Sequence, residues 1–260
     1  MLKSIETNRN FLKAHDWAKT PDIVTDQQKK IPAPPLQKHY PKDAQLIDLI
    51  PCEKLILGNI SLIDAIKHRK SRRGFVKDPL TLEELSFLLW VTQGIREIVE
   101  DRRHGARTTK RTVPSGGSRH PYETYLIINR VQSLQPGIYR YLALEHKLYF
   151  KTGVSPDLSD RINEACYNQS FIGKSAVIFI WTTIPYRTEW RYSVAAHKDI
   201  AIEAGHICQN LYLGCEAIGA GTCAIAAYDQ NKVDSILNID GNDEFTVYIA
   251  PVGKIRKKNR

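Results

Sequence analysis

SAVIFIWTT, residues 175–183, is the stretch on which the fold turns. Its centre carries no charge and is rich in β-branched and aromatic side chains, the make-up of a strand covered on both faces. The apolar run that contains it, residues 175–185, is too short to cross a bilayer as a helix. Further strands are predicted at residues 124–131, at 137–144 (GIYRYLAL), at 147–151 (KLYFK) and at 244–252 (EFTVYIAPV). The middle two read as a pair, with Glu145 and His146 in the turn. The longest helical pattern covers residues 194–218, where Ala196, Ile200, Ala204, Ile207, Cys208, Leu211, Cys215 and Ile218 recur near three and four. Ala204, Gly205 and Gly214 on it admit another helix at close range, a partner subunit's among the candidates, and Gly219-Ala220-Gly221 ends it.

Shorter helices complete the pattern. SLIDAIKHRK at 61–70 sets Leu62, Ile63 and Ile66 on one face, with Ser61 as its cap. Thr81 and Glu84 form a capping box for a second, whose apolar face takes Leu82, Leu85, Leu88, Leu89 and Ile95, with Trp90 in the core or at an interface. A third begins at Ser155-Pro156 and a fourth covers 230–237. Residues 102–111 read as a basic loop. Residues 1–55 are polar and then proline-rich (IPAPPLQKHYP), which excludes a long regular helix there. They are expected to form an N-terminal arm ahead of a domain over 56–260, with 46–50 as the part that docks.

The 260 residues suffice for a real core, and a net charge of +9 directs attention to anionic ligands. The cations fall into short clusters at 67–73, 102–111 and 254–260 without interleaved aromatics, so a nucleic-acid groove is not expected. The five cysteines lack CxxC spacing, which argues for free buried thiols in a reducing cytoplasm and against a metal or a disulfide frame. The first residues show no apolar run fit for a signal peptide. The expectation is a cytoplasmic chain with no membrane partner.

One loop stands out for chemistry. In RTVPSGGSRHPYETY, residues 111–125, paired glycines lie between hydroxyls and arginines. Gly116 and Gly117 permit close approach to their amides, while Ser115, Ser118, Arg111 and Arg119 supply donors. A tight turn before a strand explains the same residues equally well. Arg69, Ser71 and Arg73 are likewise either a solvated helix end or a phosphate grip, and Lys254 with Arg256 offers a third donor cluster. The small residues of 219–227 suit the face of a heterocycle. GxSxG, HExxH and P-loop frames are missing. His197 and His206 fall on opposed faces of the long helix, and Glu203 reads as a surface partner of His206.

These clusters, in this order, resemble the nitroreductase family of FMN-dependent oxidoreductases over roughly residues 56–256, and most closely its SagB-type, azoline dehydrogenase-like branch. His68-Arg69-Lys70-Ser71-Arg72-Arg73 is similar to the family's R-x-S-x-R opening. Pro114-Ser115-Gly116-Gly117 resembles its PSxG loop, and residues 219–227 (GAGTCAIAA) its G-x-G-T segment. Lys254-Ile255-Arg256 resembles its closing K-x-R. The resemblance implies a mixed α/β (α+β) fold with a central sheet flanked by helices, and a homodimer that buries a long helix and builds each FMN site from both chains. It further implies that Arg69, Lys70, Ser71, Arg73, Lys254 and Arg256 serve the FMN phosphate and ribityl. Pro114, Ser115, Gly116, Gly117 and Ser118 would meet the ribityl or the pyrimidine side of the ring. Ala224, Ile225, Ala226 and Ala227 would lie beside the isoalloxazine, with the Ala226 N–H facing flavin N5.

A flavin carries its own redox chemistry, which accounts for a chain rich in donors and poor in catalytic dyads. The expectation is two-electron transfer through N5, with NAD(P)H as electron donor and a small organic acceptor. Azoline-oxidising members carry a Lys-Tyr pair before the long helix. Here Arg191-Tyr192 stands in that place, and arginine cannot serve as the base. Tyr192 remains a candidate catalytic group, with a packing role as the alternative. A general FMN oxidoreductase is therefore expected ahead of a peptide azoline (thiazoline/oxazoline) dehydrogenase, a flavin binder without turnover, or a basic anion- or nucleic-acid-binding module.

Overall fold

The computed structural model describes residues 3–101 and 106–256. In chain order the strands are β1 (Leu46–Asp48), β2 (Ile95–Asp101), β3 (Ala106–Arg111), β4 (Tyr122–Ile128), β5 (Gly137–Leu142), β6 (Lys147–Gly153), β7 (Val177–Thr183), β8 (Ala220–Thr222) and β9 (Phe245–Lys254). The helices are α1 (Lys3–Phe11), α2 (Leu62–His68), α3 (Leu82–Gln93), α4 (Leu158–Ala165), α5 (Tyr186–Tyr192), α6 (Ala196–Ala217) and α7 (Gln230–Leu237).

β7 is buried along its whole length and lies inside a seven-stranded sheet of order β1-β6-β5-β4-β7-β9-β8. All the ladders of that sheet are antiparallel, so the fold mixes helix with sheet and does not mix strand directions. Alternation along β7 divides the core. Val177, Phe179 and Trp181 face α3 and α6, while Ile178 and Ile180 face α4 and α7. Two covered faces explain why the strand reads as a continuous apolar run.

Ser61 and Thr81 cap α2 and α3 as predicted, and Thr81 with Glu84 closes the capping box. Gly214 of α6 is a close approach, but within the chain: a Cβ there would stand 3.1 Å from both Leu88 and Val91 of α3. Ala204 is buried in the same core. Of the small residues predicted to face a partner, Gly205 alone lies open. The apolar face of α2 is also uncovered, with Leu62, Ile63 and Ile66 each more than half exposed.

The expected basic loop at 102–111 is in part a strand. β3 pairs with β2 in a separate hairpin, with Ala106, Thr109 and Arg111 turned inward; residues 102–105 lie outside the described residues. Alternation was hidden because two inward positions are threonine and arginine. Ile95 belongs to β2 and not to the helix before it, since Gly94 ends α3. The helix expected from Ser155-Pro156 begins at Leu158, whose N–H bonds the Ser155 carbonyl.

The first 55 residues are tied to the body at several places, among them Gln27 and Ile31 on Trp190. β1 adds to the edge of the sheet against β6, and Leu49 enters the core. Upstream, buried arginines hold the proline-rich segment by its carbonyls. Arg111 donates to Leu36 at 3.3 Å, and Arg140 to Lys38 and His39 at 3.0 and 2.9 Å. Buried Glu123 accepts from the Lys38 N–H at 2.8 Å and from Arg187 at 2.6 Å.

Candidate functional site

The chain leaves α2 at Arg69, whose N–H still bonds the Ala65 carbonyl, and the next residues run past the C-terminal half of α6. There the Arg69 guanidinium stands 5.3 Å over the ring of Tyr212. Ser71 Oγ lies 3.0 Å from the Tyr212 hydroxyl, and that hydroxyl also accepts the Ala224 N–H at 2.8 Å. One α6 side chain thus joins the first donor cluster to the small-residue segment after β8. Arg72 turns the other way. Its guanidinium grips both Glu216 carboxylate oxygens at 2.8 Å and its N–H bonds the Thr222 carbonyl, so it fixes the backbone from which its neighbours reach out. Arg73 lies 5.9 Å over the Phe171 ring.

Ile225 is pinned in both directions to Ile249 of β9, which leaves Ala226 and Ala227 exposed beside it. Their methyl groups make this a low, open surface. Lys254 pairs with Glu84 and approaches the Ile218 carbonyl, so its charge is occupied, whereas Arg256, the last described residue, is exposed. Among the described residues, Arg69, Lys70, Arg73 and Arg256 have no carboxylate partner. Unpaired guanidinium groups beside a serine hydroxyl have the donor chemistry for a phosphate, and small residues with accessible backbone suit a planar ring.

The loop at 114–118 sits elsewhere, over the N-terminal half of α6. The Gly116 N–H donates to Glu203 Oε1 at 2.7 Å, and Ser115 Oγ accepts the His120 N–H at 2.8 Å. Gly117 has φ +56°, and a Cβ there would fall 2.5 Å from the Tyr192 hydroxyl and 2.9 Å from Arg191. Arg191 and Tyr192 thus press on Gly117, and Asp199, Glu203 and the Tyr192 ring all lie against Gly116. Trp17, from the 3-10 turn His15–Asp22, meets the Tyr192 ring edge-on at 5.6 Å. Pro114 is exposed and residues 115–118 are half-buried.

Glu203 is not a surface partner of His206. It is 5 % exposed, and His197, not His206, finds a carboxylate, Glu189, at 2.8 Å. Burial and the neighbouring Asp199 carboxylate raise Glu203 to about 7, against the opposing pull of the Gly116 N–H and Ser115 hydroxyl. Burial, with Arg111 nearby, lowers His120 to about 3, so its ring is neutral and bonds the Thr109 carbonyl.

Glu203 and Tyr212 are the two residues that the motifs did not point to. They are nine positions apart on α6. That spacing places them about 13 Å apart along the axis and about half a turn round it. Within one chain the structure brings Arg69, Ser71, Tyr212 and Ala224 together and leaves the 114–118 loop on a different side of α6. Among the described residues there is no group of three or more metal-ligating side chains, and no helix is long and apolar enough to cross a membrane.

The nitroreductase family profile matches residues 66–254, which include all of these residues but Trp17 and Arg256. MJ1384 of Methanocaldococcus jannaschii, which carries the nitroreductase name, is 30% identical over 198 residues, covering 76% of this chain and 93% of its own. The trifolitoxin-processing protein TfxB of Rhizobium leguminosarum bv. trifolii is 25% identical over 202 residues, covering 75% of this chain and 52% of its own. Among solved structures, one from Anabaena variabilis carrying the nitroreductase name superposes with a TM-score of 0.69 at 22% identity, over 90% of this chain and 43% of that one. The chain thus spans about half the length of the last two.

Proposed function

The chain belongs to the nitroreductase family and is an oxidoreductase, and from that premise we propose that it binds FMN and passes two electrons from NAD(P)H to a small organic acceptor. The observation that carries the reading is the frame at Tyr212 that joins Arg69 and Ser71 to the Ala224 backbone, with Arg73 and Arg256 as exposed cations and Ala226 and Ala227 exposed after it. When bound there, FMN supplies the two-electron chemistry. The chain's own residues do the holding. Arg69, Arg73 and Arg256 neutralise the phosphate, Lys70 adds to the field at that edge, and Ser71 donates to its oxygens or to the ribityl. Tyr212 fixes Arg69, Ser71 and the Ala224 backbone in one frame. Lys254, paired with Glu84, sets the strand end that carries Arg256. The flat segment of Ala224, Ile225, Ala226 and Ala227 admits the ring.

The second donor set, Pro114 to Ser118, is out of reach of this cluster within one chain, and a second copy supplies it in our reading. The exposed apolar face of α2, together with Ile202 and Gly205 of α6, is the surface on which the copies meet. Tyr192, packed on Gly117, then stands beside the ring as a substrate contact or proton donor. A second reading, oxidation of an azoline ring in a peptide, is favoured by the likeness to TfxB, a protein named for processing. Against it stands Arg191, an arginine where that branch has its lysine.

The test is flavin content after gentle purification of wild type, Arg69→Ala and Arg256→Ala. Wild type is expected to be yellow and to release FMN on denaturation. Each variant should remain folded and bind FMN about 10- to 100-fold more weakly, the worth of a charged hydrogen bond. Full occupancy in both variants would overturn the phosphate assignment. NAD(P)H consumption with a nitroaromatic or quinone acceptor, set against oxidation of an azoline peptide, separates the two chemistries.

A further inference from the structure

Glu203 carries a carboxyl group into the interior with no cation paired to it among the described residues. Such a group is costly to bury unless it is protonated or well supplied with donors. What faces it can be named element by element. Gly116 N–H and the Ser115 hydroxyl come from the loop, Asp199 from one turn earlier on α6, Arg111 from β3 and Tyr122 from β4. Tyr192 and Arg191, at the end of α5, pack against Gly117, and the Tyr192 ring reaches Gly116 as well. Asp199 Oδ2 and Glu203 Oε1 flank the same bare edge of Gly116, at 3.3 and 3.6 Å from where a Cβ would stand. The carboxyl therefore meets the loop's backbone directly, and takes up the Gly116 amide.

We propose that Glu203 is the positioning residue of loop 115–117, and that the proton it carries decides how many of the loop's donors are free for a ligand. As the carboxylate, it takes the Gly116 amide and the Ser115 hydroxyl together, holding the loop firmly with its donors spent. When the proton arrives, one acceptor site becomes an O–H, the hold on Gly116 weakens, and the Ser115 hydroxyl is released. The position of this titration near neutrality, set by burial and by Asp199, makes both forms accessible in ordinary buffers. A ligand that presents carbonyl or ring-nitrogen acceptors to the loop is bound more tightly on the acid side. That last consequence rests on the reading that the loop meets FMN; the anchor itself does not.

Two measurements on the full chain separate the two. Amide hydrogen exchange of peptides spanning 114–118 is followed in FMN-free wild type and Glu203→Gln between about pH 6 and 8. Protection in wild type relative to the variant is expected to rise several-fold with pH, because only wild type gains the charge. A constant ratio overturns the anchor. Should the variant fail to fold, the wild-type chain still decides: exchange at Gly116 must depart from the intrinsic base-catalysed dependence across that range, and an undisturbed profile overturns the proposal. The second measurement is FMN affinity of both proteins at each pH, taken as a ratio so that the phosphate's own titration cancels. Wild type is expected to weaken several-fold relative to the variant as pH rises. A changing exchange ratio with a constant affinity ratio, or with no FMN binding at all, keeps the anchor and removes the flavin from the loop.

Discussion

The two ends of α6 handle polar groups in opposite ways. Around Tyr212 the donors are cationic, at the surface and without acidic partners, steadied by an aromatic ring and one hydroxyl. Around Glu203 the polar group is a carboxyl, buried and already bonded, and the loop it holds is also pressed by Tyr192 and Arg191. The charges of the first end are solvated and lack competitors, the state in which we propose that they meet an anion. The second is prepared by restraint, because a carboxyl without a counter-ion can exist there only by sharing the loop's donors or by taking a proton.

The contrast breaks most visibly with pH. Glu203 keeps its proton to about pH 7 in the folded chain but only to the ordinary 4.5 once unfolded. Its contribution is therefore fully present below 4.5 and is lost as pH rises through 7, a decline of about 3 kcal/mol over that window. Urea unfolding of wild type and Glu203→Gln should diverge accordingly, the variant gaining on wild type as pH rises. Parallel stability curves would erase the distinction between the two ends.

Gly117→Ala comes next. At φ +56° a Cβ costs about 1–2 kcal/mol before any contact is counted, and here it also meets the Tyr192 hydroxyl. Lower thermal stability is expected with the Arg69–Tyr212 end undisturbed, so phosphate-dependent affinity should survive better than affinity for the ring. Equal loss of both would mean that the ends communicate.

The smallest effect belongs to Tyr212→Phe. The ring under Arg69 stays, while the hydroxyl shared by Ser71 and the Ala224 N–H goes, at a cost of about 1 kcal/mol. FMN titration should read that as a several-fold weaker dissociation constant in a folded protein. An unchanged constant would show that Arg69 and Ser71 need no framing.

The sequence carried the scaffold further than the site. Continuous burial made β7 legible, and Thr81 with Glu84 announced the start of α3. Arg69, Ser71 and Ala224 stood out through local patterns that place donors and small residues. Tyr212 did not, because it follows Leu211 in an apolar helical pattern and reads as packing. Glu203 was legible in principle. It stands three residues after Ile200 and four before Ile207, inside the buried stripe of α6, and its charge drew attention away from its spacing. What the chain could not reveal locally was that Gly116, far away in sequence, would supply the amide that makes this position tolerable.

The carbonyls of Leu36, Lys38 and His39 have a bearing on how this protein can be trimmed. A version cut back to residues 66–254 would leave Arg111 its bond to Gln93 and Glu123 its bond to Arg187, but would take both carbonyl acceptors from Arg140, and with β1 it would also uncover the edge of β6. A buried guanidinium without acceptors and a bare strand edge favour precipitation over folding. The proline-rich segment thus serves as one wall of the folded unit, and we expect a trimmed version to stay in solution only if it begins upstream of Leu36.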